Sequence, residues 1–356
     1  MSEPSGSRGS PPPWASFCIA TYKRPDHLRR ALAFISQQTF TDFEVIVSDN
    51  DPEQSSREVV LSASDPRFRY FANERNLGMV KNFNAALGRA RGHFVVMVTD
   101  DDPVYPELLA TLHSLSLKHP GYGAYFGACG VQLETEEMAR TYDSHVGFRA
   151  CLANGPLDSV RLFSAAEFPH AFFERRVFPY FLWSTGVVKR SVALAVGGMP
   201  DYGSPYLTDF GYVALVGSSE GMVALNTVLG HQSVHGSNSG FSDPHGLVEA
   251  LDGGHRYLTA RLSSRIDWRL LRLKMERYIG LYVLNHALAM ERYYKIVAVN
   301  PERAAASSAV ICELFQIGYI RRLKVRYWLL RLGSAAPGLR GAYRHVKAFL
   351  RRVSSP

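Results

Sequence analysis

The sequence predicts an α/β fold in which a mostly parallel sheet is flanked by helices. Between about Trp14 and Leu117, short apolar runs alternate with segments whose apolar residues recur at helical spacing, a pattern typical of strands joined by crossover helices. Polar residues follow three of the predicted strands, at the edge where open parallel sheets bind ligands. The chain of 356 residues is long enough to bury a full core and to add a smaller subdomain.

The first two strands are predicted from their apolar and β-branched residues. Residues 15–20 form the first strand, and a helix follows because Pro25 fits a first helical turn and the next apolar residues share one helical face. Those apolar residues are Leu28, Ala31, Leu32 and Ile35. Residues 43–47 form the second strand, which ends in the polar run 48–51.

The next elements continue the alternation of strands and helices. A weaker third strand is predicted over residues 68–71, and a helix with one apolar face follows it and ends before Gly92. That apolar face consists of Phe83, Ala86, Leu87 and Ala90. Residues 94–98 form the fourth strand, and a further helix is predicted to begin near Pro106.

Three consecutive carboxylates, Asp100, Asp101 and Asp102, come directly after the fourth strand. Adjacent carboxylates at the end of a buried strand repel one another, so they require solvent, protons or a cation. A divalent metal is the simplest neutraliser, because carboxylate oxygens suit Mg²⁺ or Mn²⁺, which keep positions open for substrate phosphates. Alternatively, Asp102-Pro103 only opens a loop before the helix near Pro106.

Taken in their order and spacing, these motifs resemble the family 2 glycosyltransferases, which are nucleotide-sugar-dependent enzymes of the GT-A fold. The resemblance covers about residues 17–239. The segments that carry it are residues 19–25, 43–50, 76–78, 100–102, 184–186, 197–198 and 208–209. It implies a GT-A domain over residues 14–250, with a nucleotide-sugar half over 14–130 and an acceptor half over 131–250.

The resemblance implies that the loops after the strands contact the donor nucleotide. Thr21 lies where the family's first loop touches the nucleoside, and Asp49 lies where a carboxylate accepts a hydrogen bond from the base, which suits uracil or thymine. Many members carry an Arg where this chain has Phe83, and Lys81 or Asn82 can take its place. The carboxylates also fit strand-ending turns, and Lys81 also fits a solvated helix position. The implied nucleotide-sugar contacts are Thr21, Tyr22, Asp49, Asp51, Lys81, Asn82 and Asp100.

For the acidic run, the resemblance implies a bound Mn²⁺ or Mg²⁺. Asp101 and Asp102 are taken together as metal ligands and Asp100 as a nucleotide contact, because the family's Asp-any-Asp motif can be aligned in two registers. His235 is a further candidate ligand, and a local hydrogen bond is its alternative role. The loop over residues 236–244 can also close over the donor.

The acceptor half is expected to supply a base and the acceptor pocket. In an inverting transfer, a carboxylate must lie near the attacking hydroxyl to take its proton. Asp209 resembles the family's catalytic carboxylate, with Thr208 in place of a Glu, while Trp183 and Gly198 belong to the acceptor-side motifs. Alternatively, Asp209 only caps the helix that begins there.

The charge of the chain is unevenly distributed. The net charge is +8, yet residues 251–356 alone carry 20 Lys and Arg against 6 Asp and Glu, and the chain from Leu314 onward has ten basic residues and no acidic one. We expect a basic helical extension over residues 251–356, which either contacts an anionic membrane surface or packs as a solvated bundle. Residues 270–289 are predicted to form an ordinary buried helix.

The remaining features bear on the cellular compartment. Residues 1–13, rich in Ser, Gly and Pro, are expected to form a disordered arm without a signal peptide. No apolar run approaches the length of a membrane-spanning helix, and the four cysteines have no paired spacing. These features predict a cytoplasmic protein that is at most peripheral on the inner face of the membrane.

The predicted function is metal-dependent, inverting transfer of a sugar from a UDP- or dTDP-sugar to a glycan or lipid-linked acceptor, in the biosynthesis of bacterial surface polysaccharide or glycoconjugates. A nucleic-acid-binding protein that uses the basic extension is the alternative from a different class, although no nucleic-acid motif supports it. A non-catalytic binding protein of the same fold is a further alternative. A dinucleotide oxidoreductase is disfavoured, because no Gly-rich turn follows the first strand.

Overall fold

The computed structural model describes most of the chain: residues 11–142, 144–236, 240 and 243–324. Its compact parts are two units. Of the described residues, the first comprises 11–132, 148–201 and 207–233, and the second comprises those within 133–147, 202–206 and 234–324. Most of the predicted N-terminal arm lies outside the described residues, and so does the basic segment from residue 325 on.

Nine strands of the described residues form one sheet. In chain order they are β1 Ala15–Thr21, β2 Phe43–Asp49, β3 Phe68–Ala72, β4 Phe94–Val98, β5 Ala124–Leu133, β6 Gly147–Ala150, β7 Val160–Phe163, β8 Gly186–Lys189 and β9 Met222–Val234. Their order across the sheet is β3-β2-β1-β4-β8-β5-β9-β7, and β6 pairs with β5.

The helices alternate with the strands in the first half of the chain and dominate the last third. They are α1 Pro25–Ser36, α2 Arg57–Ser62, α3 Met79–Arg89, α4 Leu108–Lys118, α5 Glu136–Thr141, α6 Phe168–Phe173, α7 Arg190–Ala195, α8 Thr208–Glu220, α9 Gly246–Leu262, α10 Trp268–Ile296, α11 Pro301–Leu314 and α12 Gly318–Arg321. Among the residues described, none of these helices combines the length and the apolar character needed to cross a membrane.

The sheet is parallel on the side of the first four strands. β1 lies between β2 and β4 and is parallel to both, and β3 extends the parallel set beside β2. β8 runs antiparallel to both β4 and β5, and β7 runs antiparallel to β9. The predicted α/β fold with a helical C-terminal region is confirmed. The sheet as a whole is mixed, not mostly parallel, because it is parallel from β3 to β4 while the pairs β4–β8, β8–β5 and β9–β7 are antiparallel.

The core of the first unit follows the predicted apolar pattern. A single cluster of buried side chains joins β1, β2 and β4 to α1, α2 and α4. The four apolar residues that predicted α1 are all buried, and every residue of β2 is buried. The short helix α2 was not predicted, because two buried valines in six residues are too few to show a helical period.

Gly92 allows the chain to pass close to β1 on its way from α3 to β4. A Cβ at this position would lie 2.6 Å from the carbonyl carbon of Ala15, so a larger residue would collide with the β1 backbone. The Gly92 N–H donates to Ser16 Oγ at 2.8 Å. The close approach places the start of β4 in register with the start of β1.

The second unit is organised around α10. This helix packs against α5, α9, α11 and α12. Its buried carboxylates have partners: Glu276 accepts from Arg272 Nε at 2.7 Å, and Glu291 accepts from Lys295 Nζ at 2.8 Å. Such pairing is what allows a charge to be buried.

The ordinary buried helix predicted over residues 270–289 lies within α10, but its first turns are not buried on every side. Leu271 and Met275 are buried, whereas Leu270 and Leu273 are more than half exposed. The first turns of α10 therefore have one face that packs in the unit and one that does not.

Candidate active site

The carboxyl ends of three neighbouring strands lie together at one edge of the sheet. Thr21, the last residue of β1, is the register partner of Asp49, the last residue of β2. The Thr21 hydroxyl donates to Asp100 Oδ2 at 3.0 Å, which joins the end of β1 to the acidic run after β4. The strand ends thus bring Thr21, Asp49 and Asp100 into one region, as their positions in the sequence predict.

Arg24 lies against two of the three acidic residues. Its Nη1 donates to Asp100 Oδ1 at 2.7 Å and its Nη2 donates to Asp101 Oδ2 at 2.8 Å. Arg24 belongs to the first loop but is not among the predicted site residues. The signal was present, because adjacent carboxylates require a cation and this loop ends at the same sheet edge.

Asp102 is held in place from both sides. Thr99 Oγ1 donates to its Oδ2 at 2.7 Å, and the backbone N–H of Ser233 in β9 donates to its Oδ1 at 3.1 Å. The chain after Asp102 continues along β9, where His231 N–H donates to the carbonyl of Pro103. Strand β9 therefore fixes the backbone that carries the acidic run.

Burial controls the protonation of these carboxylates. It raises the pKa of Asp100 to about 6, against the attraction of Arg24 and with the support of the neighbouring Asp101 charge. Burial, followed by the Asp101 charge, also raises the pKa of Asp102 well above its usual range. A cation bound here would favour the charged forms and release protons.

The acidic run suits a divalent cation that is shared with a substrate. In the part of the chain that is described, no three His, Cys, Asp or Glu side chains are arranged to hold a metal by themselves. Mg²⁺ and Mn²⁺ in phosphate-transferring sites are commonly held by one or two carboxylates together with phosphate oxygens. Asp101 and Asp102 provide such hard oxygen donors, and Asp102 is buried beside the Asp101 charge, where a cation would offset both carboxylates.

Asp49 and Asp51 form a compact turn after β2. Asp49 is fully buried; its Oδ2 accepts from the Tyr70 hydroxyl at 2.8 Å and its Oδ1 accepts from the Asp51 N–H at 2.9 Å. The Asp51 carboxylate accepts from the backbone N–H groups of Glu53 and Ser55. Hydrogen bonding by Ser55 and these N–H groups lowers the pKa of Asp51. The nucleotide roles of both aspartates stay predictions.

Tyr22 and Lys81 are exposed, whereas Asn82 is not. Tyr22 is 43% exposed, and Lys81 Nζ lies 3.6 Å from Asp201 Oδ2. Asn82 is buried; its Nδ2 donates to the Thr21 carbonyl at 3.1 Å and its Oδ1 accepts from Asn73 at 2.8 Å. Asn82 thereby attaches α3 to the first loop.

The acceptor-side motifs contain residues with clear packing roles. Trp183 is buried, and its ring centroid lies 4.7 Å from that of Phe83, so Phe83 packs against the Trp183 ring. Gly198 has a φ of +70°, and a Cβ there would lie 2.3 Å from Asn84 Oδ1. Asn84 in turn bonds both the N–H and the carbonyl of Met199. These contacts explain the residue types, and the acceptor roles of Trp183 and Gly198 stay predictions.

Asp209 is the second residue of α8 and belongs to the same compact unit as the acidic run. It is partly buried, and burial raises its pKa to about 6. Leu207, not Asp209, occupies the N-cap position, with a left-handed φ of +66° that is uncommon for a residue other than glycine. The interpretation of Asp209 as a helix cap is therefore wrong. The Phe210 N–H donates to its Oδ1 at 2.8 Å.

The two histidines near the end of β9 lie in different units. His231 belongs to the first unit, and its Nδ1 lies 3.3 Å from the Tyr105 hydroxyl. His235 belongs to the second unit, just beyond β9, and its role as a metal ligand stays a prediction. Most of the loop predicted to close over the donor, residues 236–244, lies outside the described residues, since 237–239 and 241–242 are not described.

The Arg24 ion pairs lead to a direct prediction. Replacing Arg24 with Gln leaves Asp100 and Asp101 facing each other without their cation, so we expect the free energy of unfolding to fall by about 2 kcal/mol. Added Mn²⁺ should stabilise Arg24→Gln more than it stabilises the wild type, because the metal then supplies the missing positive charge. Thermal unfolding with and without Mn²⁺ measures both effects.

Arg67→Gln is the matched control, since Arg67 also pairs with an aspartate, Asp65, at 2.7 Å outside the acidic run. An Mn²⁺ response of Arg24→Gln no larger than that of Arg67→Gln would contradict this account of the acidic run.

Comparison with known proteins identifies the family of the first part of the chain. Residues 16–171, which contain the first four strands and the acidic run, match the model described as glycosyl transferase family 2. The chain carries a family 2 glycosyltransferase domain. The resemblance drawn from the sequence motifs is confirmed.

Curated relatives share this part of the chain. Over 125 residues the chain is 34% identical to the GalNAc(5)-diNAcBac-PP-undecaprenol beta-1,3-glucosyltransferase of Campylobacter jejuni, a match to 34% of this chain and 40% of that protein. Over 104 residues it is 33% identical to the abequosyltransferase RfbV of Salmonella typhimurium, a match to 28% of this chain and 31% of that protein. The matched segment spans less than half the length of either relative.

Solved structures with low sequence identity share the fold more widely. TarS 1-349 of S. aureus, in complex with UDP, aligns with a TM-score of 0.55 at 14% identity and covers 88% of both chains. The mannosyltransferase PcManGT from Pyrobaculum calidifontis, in complex with GDP-Man and Mn²⁺, aligns with a TM-score of 0.50 at 16% identity and covers 91% of this chain and 86% of that chain. These matches confirm the predicted GT-A type fold.

Proposed function

We propose that the chain catalyses metal-dependent, inverting transfer of a sugar from a nucleoside-diphosphate sugar to a hydroxyl of a glycan or lipid-linked acceptor. The observation that carries the proposal is the acidic run of a family 2 domain, bonded to Thr21 and Arg24 at the carboxyl edge of a parallel sheet. Ligands of open α/β sheets bind at this edge.

Asp101 and Asp102 hold the metal in this proposal. When bound, Mn²⁺ or Mg²⁺ offsets the negative charge that develops on the leaving diphosphate. The protein's contribution is a rigid support: the bonds from Thr99 and Ser233 fix Asp102 before the substrate arrives. Preorganised charges of this kind need no rearrangement during the reaction.

The nucleoside lies against the ends of β1 and β2 in this proposal. Asp100 is held in place by hydrogen bonds from Thr21 and Arg24, and it accepts a hydrogen bond from a hydroxyl of the ribose. Asp49 accepts a hydrogen bond from one N–H of the base. Its Oδ2 already accepts from Tyr70 and its Oδ1 from the Asp51 N–H, but each oxygen retains a second lone pair for this bond. A single ring N–H flanked by two carbonyls is the feature of uracil and thymine, and a partner that accepts one N–H suits a UDP- or dTDP-sugar. The exposed ring of Tyr22 offers a stacking surface beside them.

Asp209 acts as the base that takes the proton of the acceptor hydroxyl. Its pKa of about 6 makes it a better proton acceptor than an ordinary Asp while it remains charged at neutral pH. Trp183 and Gly198 contribute to the acceptor side.

The acceptor is proposed to be lipid-linked and to belong to surface polysaccharide or glycoconjugate biosynthesis. The name of the Campylobacter jejuni relative specifies a substrate attached to undecaprenol, which is a membrane lipid. The excess of basic residues from residue 251 on supports contact with an anionic membrane surface, where such an acceptor is found.

A thermal-shift panel of nucleoside diphosphates and their sugars, with and without Mn²⁺, tests the donor side. We expect one nucleoside diphosphate to stabilise the protein only when metal is present, by about 2.7 kcal/mol at 100 times its dissociation constant. No stabilisation by any nucleotide at saturating concentration would refute the proposal. Stabilisation by DNA or RNA alone would favour the nucleic-acid-binding alternative.

A further inference from the structure

One face at the start of α10 is exposed and combines large apolar side chains with arginines. Ile266 is 107% exposed, Leu270 is 54% exposed and Leu273 is 53% exposed. Arg269 and Arg277 are exposed beside them. Ile266 lies in the turn just before α10. At about 100° per residue, the other four positions fall within about 100° of the helix circumference, so they form one continuous stripe. We call this stripe of Arg269, Leu270, Leu273 and Arg277, together with Ile266 ahead of it, the α10 face.

The opposite side of the same turns is packed in the usual way. Leu271, Met275 and Ile279 are buried within the second unit. The exposure of Leu270 and Leu273 is therefore not a sign of a loosely packed helix. Two apolar stripes on one helix, one buried and one exposed, require a separate explanation for the exposed one.

The cations of the α10 face are available for a partner. Arg272, next to the stripe, is paired with Glu276 at 2.7 Å, and Arg265 is paired with Asp267 at 3.1 Å. Within the described part of the chain, no such ion pair is formed by Arg269 or Arg277.

We propose that the α10 face is the surface by which the protein docks on an anionic lipid bilayer, a role that locates the membrane contact of the proposed function. Apolar side chains between arginines suit the boundary between headgroups and acyl chains, because the leucines can enter the acyl region while the guanidinium groups stay at the phosphates. Each cation near an anionic surface contributes about fivefold in affinity, or about 1 kcal/mol.

Charge argues against two other occupants of this face. Residues 325–356 contain seven Lys and Arg and no Asp or Glu, so electrostatics disfavour their binding beside Arg269 and Arg277. A second copy meeting the first across a two-fold axis would bring the same arginines together. An anionic partner remains, and the three exposed aliphatic side chains favour a bilayer over a nucleic acid, whose readers use aromatic rather than aliphatic platforms.

Vesicle flotation of the full chain tests the proposal. The vesicles contain about 30% phosphatidylglycerol in phosphatidylcholine, at about 0.1 M salt. Leu270→Gln combined with Leu273→Gln keeps helix propensity and removes the apolar contact, and we expect at least about tenfold weaker binding. Arg269→Gln combined with Arg277→Gln is expected to weaken binding by about 10- to 30-fold at this salt concentration. At high salt the wild type also loses its electrostatic attraction to the vesicles, so the difference between it and the variant should disappear.

Leu117→Gln combined with Lys118→Gln is the matched control. These residues are an exposed leucine and an exposed lysine on α4, outside the α10 face, and their replacement should leave flotation unchanged. If both α10 variants float like the wild type, the proposal is wrong. Loss of binding to a DNA duplex in the arginine variant, with vesicle flotation unchanged, would assign the face to nucleic acid and would also overturn it.

The same samples separate this inference from the proposed function. The α10 variants should retain the wild-type thermal shift with nucleoside diphosphate and Mn²⁺, because the face lies outside the nucleotide-binding residues. Vesicle binding that depends on the α10 face, without any nucleotide response in the wild type, would leave the inference standing and refute the donor proposal.

Discussion

Asp209→Asn is expected to lower kcat by about 10²- to 10⁴-fold, the usual contribution of a positioned base. Donor binding, measured by the thermal shift with nucleoside diphosphate and Mn²⁺, should stay within about twofold, because Asp209 acts on the acceptor hydroxyl. The Asn side chain keeps the oxygen that accepts the Phe210 N–H, so the start of α8 should remain intact. Near-normal turnover by this variant would remove Asp209 from the mechanism.

The same substitution should make the protein more stable at neutral pH. The folded pKa of Asp209 is about 6, above the 3.8 of an ordinary Asp. Between pH 4 and pH 6 the folded state therefore binds more protons at Asp209 than the unfolded state does. The contribution of this residue to the free energy of unfolding is fully present below pH 4 and is lost as the pH rises through 6. We expect the free energy of unfolding of Asp209→Asn to exceed that of the wild type by about 2 kcal/mol near pH 7.5 and to equal it near pH 4.

Glu220→Gln, at the other end of α8, is the control for this pair of measurements. Glu220 is exposed and pairs with Lys189, so its removal should change neither turnover nor stability by much. If Asp209→Asn has a lower free energy of unfolding than the wild type at neutral pH, the charged carboxylate stabilises the fold, and the expectation that its burial costs stability is wrong.

Replacement of the acidic run should have an effect of similar size. Asp101→Asn and Asp102→Asn are each expected to lower kcat/KM by about 10³-fold, because a metal that offsets diphosphate charge is worth several kcal/mol. The variant of the principal ligand should also lose its dependence on added Mn²⁺. Comparing the two single variants decides which of the two registers of the motif applies.

Asp65→Asn provides the control for the acidic run, since it removes an ion-paired aspartate away from the strand ends. Chelation of the wild type with EDTA should reproduce the loss seen in the acidic variants, and added Mn²⁺ should reverse it. Full activity of both acidic variants, or of the chelated wild type, would be incompatible with a metal at this position.

The local features of the fold could be predicted from the sequence because they depend on short-range periodicity. The four strands of the parallel half, and the helices α1 and α3 between them, follow apolar patterns that extend over five to twelve residues. The position of Thr21, Asp49 and Asp100 at one edge then follows from the topology of parallel sheets.

The contacts that complete the site could not be predicted, because they join distant parts of the chain. Asp102 is held by Ser233, which is 131 residues away, and Asp100 is held by Arg24, which is 76 residues away. The left-handed backbone of Leu207, which moves the start of α8 ahead of Asp209, has no local signal either. Likewise, the sequence of α10 alone does not show which of its apolar residues are buried by the rest of the second unit and which remain exposed.

Metal binding at the acidic run is tested most directly by an Mn²⁺ titration followed by electron paramagnetic resonance, in the presence of the nucleoside diphosphate that the thermal-shift panel selects. We expect the wild type to remove about one equivalent of the free Mn²⁺ signal only when the nucleotide is present, and Asp101→Asn or Asp102→Asn to lack this binding. Equal Mn²⁺ binding by the wild type and both variants would contradict this expectation.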